Sequence, residues 1–256
     1  MRWIRYSLNN ETNYGLLDEN DRVTKINGSP LTEYELSTEK YQLSDLKLEV
    51  PIIPKTFYCV GLNYIAHIGA EGLSIPTRPE IGYRANNALI AHQEEVLMPA
   101  DATAIQYEGE LVVVIGKTVK NISRQEASQC IFGYTMGNDV SERNWQKQDR
   151  TFWRSKNSDT FKPMGPWIAT DVALGEMQTT VAVNDVITTQ FNTADMLFGI
   201  DEFISETSRY ITLHAGDVIW MGTDGNSPNL QHNDRVDISL TGLGTLSNRF
   251  IKMTAE

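Results

Sequence analysis

From Lys55 onward the apolar residues come in short runs rich in Val and Ile, each bounded by turn residues: 56–60, 111–115, 167–169, 180–183, 218–221 and 236–240. Runs of that length and β-branched content predict strands, and their spacing predicts a β-rich domain. Two segments carry helical signals instead. Residues 124–130 follow Ser123, a good N-cap. Residues 193–209 place Met196, Ile200, Phe203 and Ile204 at helical spacing. The first fifty residues are more polar. MRWIRYS alternates loosely, as a strand does, and TNYGLLDENDRVTKING predicts two short strands around an Asp/Glu/Asn turn. Pro51 and Pro54 flank an apolar pair, which suits an extended linker entering a buried strand. The expected fold class is therefore α+β and β-rich. A small β-containing N-terminal domain is placed at 1–52 and a larger domain at 53–256. There is no 20–50-residue repeat and no low-complexity tract.

Composition narrows the function classes. A chain of 256 residues buries enough surface to need no disulfide or metal staple. Its net charge is -11, and Lys and Arg are scattered without a basic stripe, which argues against a nucleic-acid partner. No stretch approaches 18 apolar residues, so no membrane span is expected. The opening MRWIRYSLNN lacks the apolar run of a signal peptide, so a cytoplasmic location is expected. The two cysteines, Cys59 and Cys130, each sit among apolar neighbours and read as small buried hydrophobes.

The candidate chemistry begins in Tyr107-Glu108-Gly109-Glu110, which leads into the apolar run 111–115. On a strand, residues i and i+2 share a face, about 7 Å apart, so Glu108 and Glu110 aim the same way. Two such acids at the mouth of a buried strand either share a proton, hold a cation, or face solvent. Hard divalent ions prefer oxygen ligands of this kind. A third acid, Asp139, ends the β-type run 133–138 in an Asn-Asp pair. Asn-Asp often makes a turn or a helix cap. Ser141 offers an alternative cap, which would leave Asp139 free to join the other two. Among the four histidines, His67 follows the strand end and the Gly-Leu-Asn-Tyr turn. If that segment is helical, Glu71 at i+4 is placed to orient the imidazole, and the pair would activate a water as general base.

Taken together, CVGLNYIAH (59–67), YEGELVVVIGK (107–117), GYTMGNDVSERNWQ (133–146), SKNSDTFKPMGPWI (155–168) and GDVIWMGTDGN (216–226) resemble the fumarylacetoacetate hydrolase family across nearly the whole chain. The N-terminal fifty residues resemble the small leading domain of its short bacterial members. The resemblance implies mixed β-sheets rolled around a central site, with Mg²⁺ or Mn²⁺ on Glu108, Glu110 and Asp139. It implies a lysine beside the metal, at Lys156, and polar site positions at Arg143 and Gln146. Thr223 matches the threonine of a substrate-binding Gly-Thr-Pro loop. A small-molecule oxo-acid or diketone substrate and a homodimer are implied as well.

The chain also departs from that pattern. The family places a glutamate three residues after the histidine; here that residue is Ala70, and Glu71 follows it. A family lysine is replaced by Arg84, whose planar fork suits a carboxylate. Ala-Arg-Asp becomes Glu142-Arg143-Asn144, and Gly-Thr-Pro becomes Gly222-Thr223-Asp224, which would redistribute acids at the pocket rim. Three readings stay open. The first is a metal-dependent hydrolase cleaving a C–C bond in a 1,3-dicarbonyl or acylpyruvate-type compound. The second is a metal-dependent decarboxylase or isomerase/tautomerase of a 2-oxo acid such as oxaloacetate or 2-hydroxyhepta-2,4-diene-1,7-dioate. The third is a non-catalytic carboxylate-binding protein on the same scaffold.

Overall fold

Gly109–Ile115 is a strand in which all seven residues are buried. A continuous β-branched run has no polar face to offer water, so it takes a place inside a sheet rather than at an edge. It pairs antiparallel with Ile131–Asn138 on one side and with Val218–Trp220 on the other. Its side chains alternate between two cores. Leu111, Val113 and Ile115 join the larger hydrophobic cluster, and Val112 and Val114 join a second one with Phe57, Met164 and Trp220.

The computed structural model describes residues 1–254 apart from 71, 73, 176, 225 and 226, and the side chains of His67 and Ala70 also fall outside the description. The main sheet runs Tyr34–Gln42, Arg22–Gly28, Glu11–Leu17, Arg2–Leu8, Lys162–Ala169, Ile131–Asn138, Gly109–Ile115, Val218–Trp220, Phe57–Gly61, Glu80–Tyr83. The N-terminal meander thus prolongs this sheet, through Arg2↔Ala169 and Trp3↔Ile168. A second, five-stranded sheet runs Val186–Asn192, Gln178–Val183, Arg235–Leu240, Gly244–Lys252, Glu95–Met98. Parallel pairs occur in both, Val218–Trp220 with Phe57–Gly61 and Gly244–Lys252 with Glu95–Met98, so the sheets are mixed and the class is α+β, β-rich.

The two sheets approach closely at Gly109. A Cβ there would lie 2.9 Å from Val181 Cγ2 and 3.2 Å from Ile238 Cγ2. Glycine at 109 therefore lets the second sheet press against the strand, while its neighbours Glu108 and Glu110 face the other way. The helical expectation at 124–130 appears as an α-turn over Arg124–Ala127 that tightens into a 3₁₀ turn over Ser128–Cys130. Glu126 accepts from the Ser123 backbone N–H at 2.9 Å. The helix expected over 193–209 begins later. A 3₁₀ turn covers Thr193–Asp195, and the α-helix is Ile200–Tyr210. The break has a tertiary cause: Leu197 N donates to Asn63 O and Phe198 N to Asn63 Oδ1, which draws the chain out of helical conformation. Among the described residues no helix is long and apolar enough to cross a membrane.

Gly137 lies opposite Glu110 in the sheet, and a Cβ there would meet the Trp220 indole at 2.5 Å. Gly137→Ala is expected to lower stability by about 1–3 kcal/mol, because the buried indole has nowhere to move. Urea denaturation checks this; an unchanged midpoint would show that the ring repacks freely.

Candidate active site

Strand register brings the three acids together. Gly109 pairs with Asn138 and Glu110 with Gly137, so the end of one strand lies beside the start of the other. Asn138 Oδ1 accepts from Glu108 N at 3.0 Å, and Asp139 N donates to Glu108 O at 2.9 Å. These bonds align Asp139 with the Glu108–Glu110 face. One carboxylate oxygen from each of Glu108, Glu110 and Asp139 lies within 4.8 Å of the others, and all three residues are buried. The cap on the following short helix is not Ser141, whose hydroxyl donates to Asp139 O. Glu142 caps it by accepting from Trp145 N, so the Asp139 side chain is left for the cluster.

Four cations answer the acids. Lys156 Nζ is 2.5 Å from Glu108 Oε2 and 3.2 Å from Asp139 Oδ2. Arg143 reaches Glu108 Oε1 at 2.7 Å. Arg84 grips Asp139 with Nε at 3.1 Å from Oδ1 and Nη2 at 2.7 Å from Oδ2. Lys162, fully enclosed, is 2.7 Å from Asp139 Oδ1. Burial alone would raise all three carboxyl pKa values. For Glu108 the charges of Lys156 and Arg143 overcome it, and its pKa falls. For Asp139 the Arg84, Lys156 and Lys162 charges hold it well below the ordinary carboxylate range. Burial lowers Lys162 to about 8, and Asp139 opposes that shift only in part, so the ammonium keeps its proton at neutral pH.

Glu110 differs from its neighbours. Burial, then repulsion from Asp139 and Glu108, pushes its pKa well above the ordinary value. Among the described residues its only hydrogen-bond donor is Gly222 N, at 2.9 Å. A buried carboxyl beside two acids with lowered pKa values, with no ion-pair partner of its own among the described residues, is a donor arrangement that a divalent ion would complete. The three residues fit such an ion.

The acids open onto a cavity of about 340 Å³. Arg84, Arg143, Gln146, Lys156 and Thr223 all line it, so five of the polar positions singled out in the sequence converge there. Arg143 is held on three sides, by Gln106 Oε1 at 2.8 Å, Gln146 Oε1 at 2.9 Å and Glu108. The backbone of His67 lies in the short helix Ile65–Ala70, just after Leu62 and Asn63 at the cavity wall. The His67 side chain and Glu71 lie outside the described residues, so the pairing expected of them has no geometry here.

Other expectations are corrected or extended. Glu142 is no rim acid: it is fully buried, accepting from Thr103 N and Ala104 N besides its cap. Lys162 and Asn63 were not singled out. Asn63 donates to Phe198 O and Met221 O, tying the Gly61–Asn63 turn to the loop that carries Thr223. Each sits in a motif the sequence displays, and only three-dimensional contacts give it a task. Cys59 and Cys130 are buried free thiols, and burial pushes the Cys59 thiol up to about 11, as befits inert core residues.

Residues 56–251 match the fumarylacetoacetate (FAA) hydrolase C-terminal family, and residues 1–51 match the Rv2993c-like N-terminal family. The chain is 34% identical to a 2,4-didehydro-3-deoxy-L-rhamnonate hydrolase from Sphingomonas sp. (strain SKA58), over 96% of this chain and 94% of that one. It is 36% identical to the oxaloacetate tautomerase YisK of Bacillus subtilis (strain 168), over 84% and 76%. A crystal structure of a 5-carboxymethyl-2-hydroxymuconate delta-isomerase from Mycobacterium smegmatis has a TM-score of 0.91 to it, with 33% identity over 99% and 100% of the two chains. These relatives carry three different reaction names, so likeness fixes an enzymatic family without fixing the reaction. Fold, acid cluster and sequence agree, and the chain belongs to the fumarylacetoacetate hydrolase family.

Proposed function

We propose that this chain is a divalent-metal-dependent hydrolase that cleaves a C–C bond in a 1,3-dicarbonyl, acylpyruvate-type small molecule, with Mg²⁺ or Mn²⁺ held by Glu108, Glu110 and Asp139. Glu110 carries the reading: among the described residues it is a buried acid with no ion-pair partner, beside two acids that have several. When bound, the ion supplies Lewis-acid polarisation of neighbouring substrate oxygens and stabilises enolate charge.

The chain's own groups do the rest. Arg84 and Arg143 each keep N–H groups beyond those already donated to protein, and both line the cavity, where a planar fork binds a substrate carboxylate. Gln146 and Thr223 face the same space and offer polar contacts to substrate oxygens. Lys156 donates to two acids and has a third N–H left, so it can hold a proton near the carbon that becomes the enolate. His67 is assigned to accept a proton from the attacking water.

A second reading rests on Ala70, which stands where the family resemblance puts the acid partner of His67. Without that partner, decarboxylation or tautomerisation of a 2-oxo acid such as oxaloacetate needs no activated water, and isomerisation of a diacid such as 2-hydroxyhepta-2,4-diene-1,7-dioate is equally compatible. The tautomerase among the relatives supports this alternative.

The reactions separate at His67. His67→Ala is expected to slow hydrolysis of acylpyruvates by about 10²–10⁴-fold while leaving the Mn²⁺-induced rise in melting temperature intact. Full hydrolytic activity in the variant would remove His67 from the mechanism. Oxaloacetate turnover above the metal-only control, with no acylpyruvate cleavage by the wild type, would favour the second reading.

Metal binding itself has a pH signature. An acid whose folded-state pKa is raised stabilises the fold below its ordinary value of 4.5, and that contribution is lost as pH rises through the raised value. Metal-free Glu110→Gln is therefore expected to gain stability over the wild type as pH increases. Mn²⁺ should displace the Glu110 proton, so wild-type affinity should climb with pH across that window, and the variant should show neither the climb nor the thermal shift. Thermal melts with and without Mn²⁺ over a pH series check both; equal shifts in wild type and variant would take Glu110 out of the metal site.

A further inference from the structure

We propose that Lys162 is a positioning residue that fixes the Asp139 carboxylate for metal binding and takes no part in proton transfer, which falls to Lys156. The inference rests on the reading that the three acids hold a divalent ion.

The two lysines near Asp139 are placed differently. Lys162 is fully buried and is absent from the described lining of the cavity, whereas Lys156 and Asp139 both line it. Lys162 Nζ donates to Val140 O at 2.9 Å and Phe161 O at 2.9 Å, and it pairs with Asp139 Oδ1 at 2.7 Å. Two of its three N–H groups go to backbone carbonyls, and its charge is answered by Asp139 on a side that does not line the cavity. Lys156 has two acid partners and one N–H to spare.

The anchoring is also well placed to control Asp139. Val140 follows Asp139 in the chain and Phe161 precedes Lys162. Val140 N donates to Phe161 O at 3.1 Å, so the ammonium closes a small ring of backbone around the acid. Lys162 holds Oδ1 from the closed side, Arg84 spans both oxygens, and Oδ2 also meets Lys156, so the carboxylate plane is fixed from two directions. This is the role that outer partners of metal ligands play: they hold a ligand in one orientation before the ion arrives.

Position and simple charge predict opposite results. A cation at 2.7 Å from a ligand repels a metal, so removing charge alone would tighten binding. Removing an anchor frees Asp139 to turn and weakens binding. Mn²⁺ would be titrated into wild type and Lys162→Met, with free Mn²⁺ followed by electron paramagnetic resonance and folding checked by circular dichroism. The expected result is a loss of affinity of about 10–100-fold in the folded variant. Unchanged or tighter binding overturns the proposal. A wild type that fails to bind Mn²⁺ overturns the metal reading instead, so the two failures are distinct.

If Lys162→Met does not fold, the wild type decides. With ¹⁵N-labelled lysine, one exchange-protected ammonium resonance is expected in metal-free protein. It should persist after Mg²⁺ is added and in Lys156→Met. Its absence, or its loss on adding Mg²⁺, overturns the proposal.

Discussion

Charge balance around Asp139 is the constraint on which the rest of the site depends. Its carboxylate is almost entirely removed from water, and an unpaired buried charge would cost several kcal/mol or more. Three cations meet it, and each arrives from a different place: Arg84 after the strand Glu80–Tyr83, Lys156 on the helix Trp153–Asn157, Lys162 at the head of the strand Lys162–Ala169. Arg143 completes the set through Glu108. Four chain segments are therefore held against one strand end by ion pairs, in addition to the core contacts of Ile81, Trp145 and Phe161 beside them.

The backbone shows the consequence. Leu62 and Phe152 both line the cavity with left-handed φ, 53° and 55°, although neither is glycine or asparagine. Such conformations cost of order 1–3 kcal/mol and persist where the surroundings over-determine them. At Phe152 the determinants are visible. Its carbonyl accepts from Lys156 N and from the Asn157 side chain, and Asn157 Oδ1 accepts from Ala85 N beside Arg84. Turning Phe152 to an ordinary conformation would move the helix that carries Lys156 and disturb the segment that carries Arg84. Gln106 plays a gentler version of the same part: it holds Arg143 and also accepts from Ser227 and donates to Asn229, joining the guanidinium to the loop beyond Thr223.

Strands and acids were legible because both follow from local periodicity. The unbroken apolar run Leu111 through Ile115 marked the central strand, and the i, i+2 spacing put Glu108 and Glu110 on one face; Asp139 needed only the neighbouring run to end nearby. The long helix at 193–209 was misjudged because Asn63, some 130 residues away in the chain, supplies the bonds that break it. Lys162 was invisible for a related reason. A lysine between Phe and Pro in a strand-like run is ordinarily placed at the surface, and only the strand's seat against Asp139 encloses it. The cap at Glu142 illustrates competition between side chains: Ser141 was the better cap by type, but register paired it with Gln106 and turned its hydroxyl to Asp139 O.

The local charge pattern also reverses the global one. The chain as a whole carries -11, yet the groups in contact around the acids comprise four cations against two carboxylates with depressed pKa values, Glu110 being pushed toward its neutral form. In a walled cavity such an excess focuses the field and raises the local concentration of anions. The raised pKa of Glu110 keeps that balance on the cationic side. A divalent ion held by Glu108, Glu110 and Asp139 would bring two charges, more than replacing a proton lost from Glu110. An acidic surface that repels anions generally and one positive cavity that admits them are compatible because screening over about 8–10 Å separates the two. The four cations thus serve two ends at once: they make the burial of Asp139 and Glu108 tolerable, and they leave the cavity with the sign that an anionic small molecule would require.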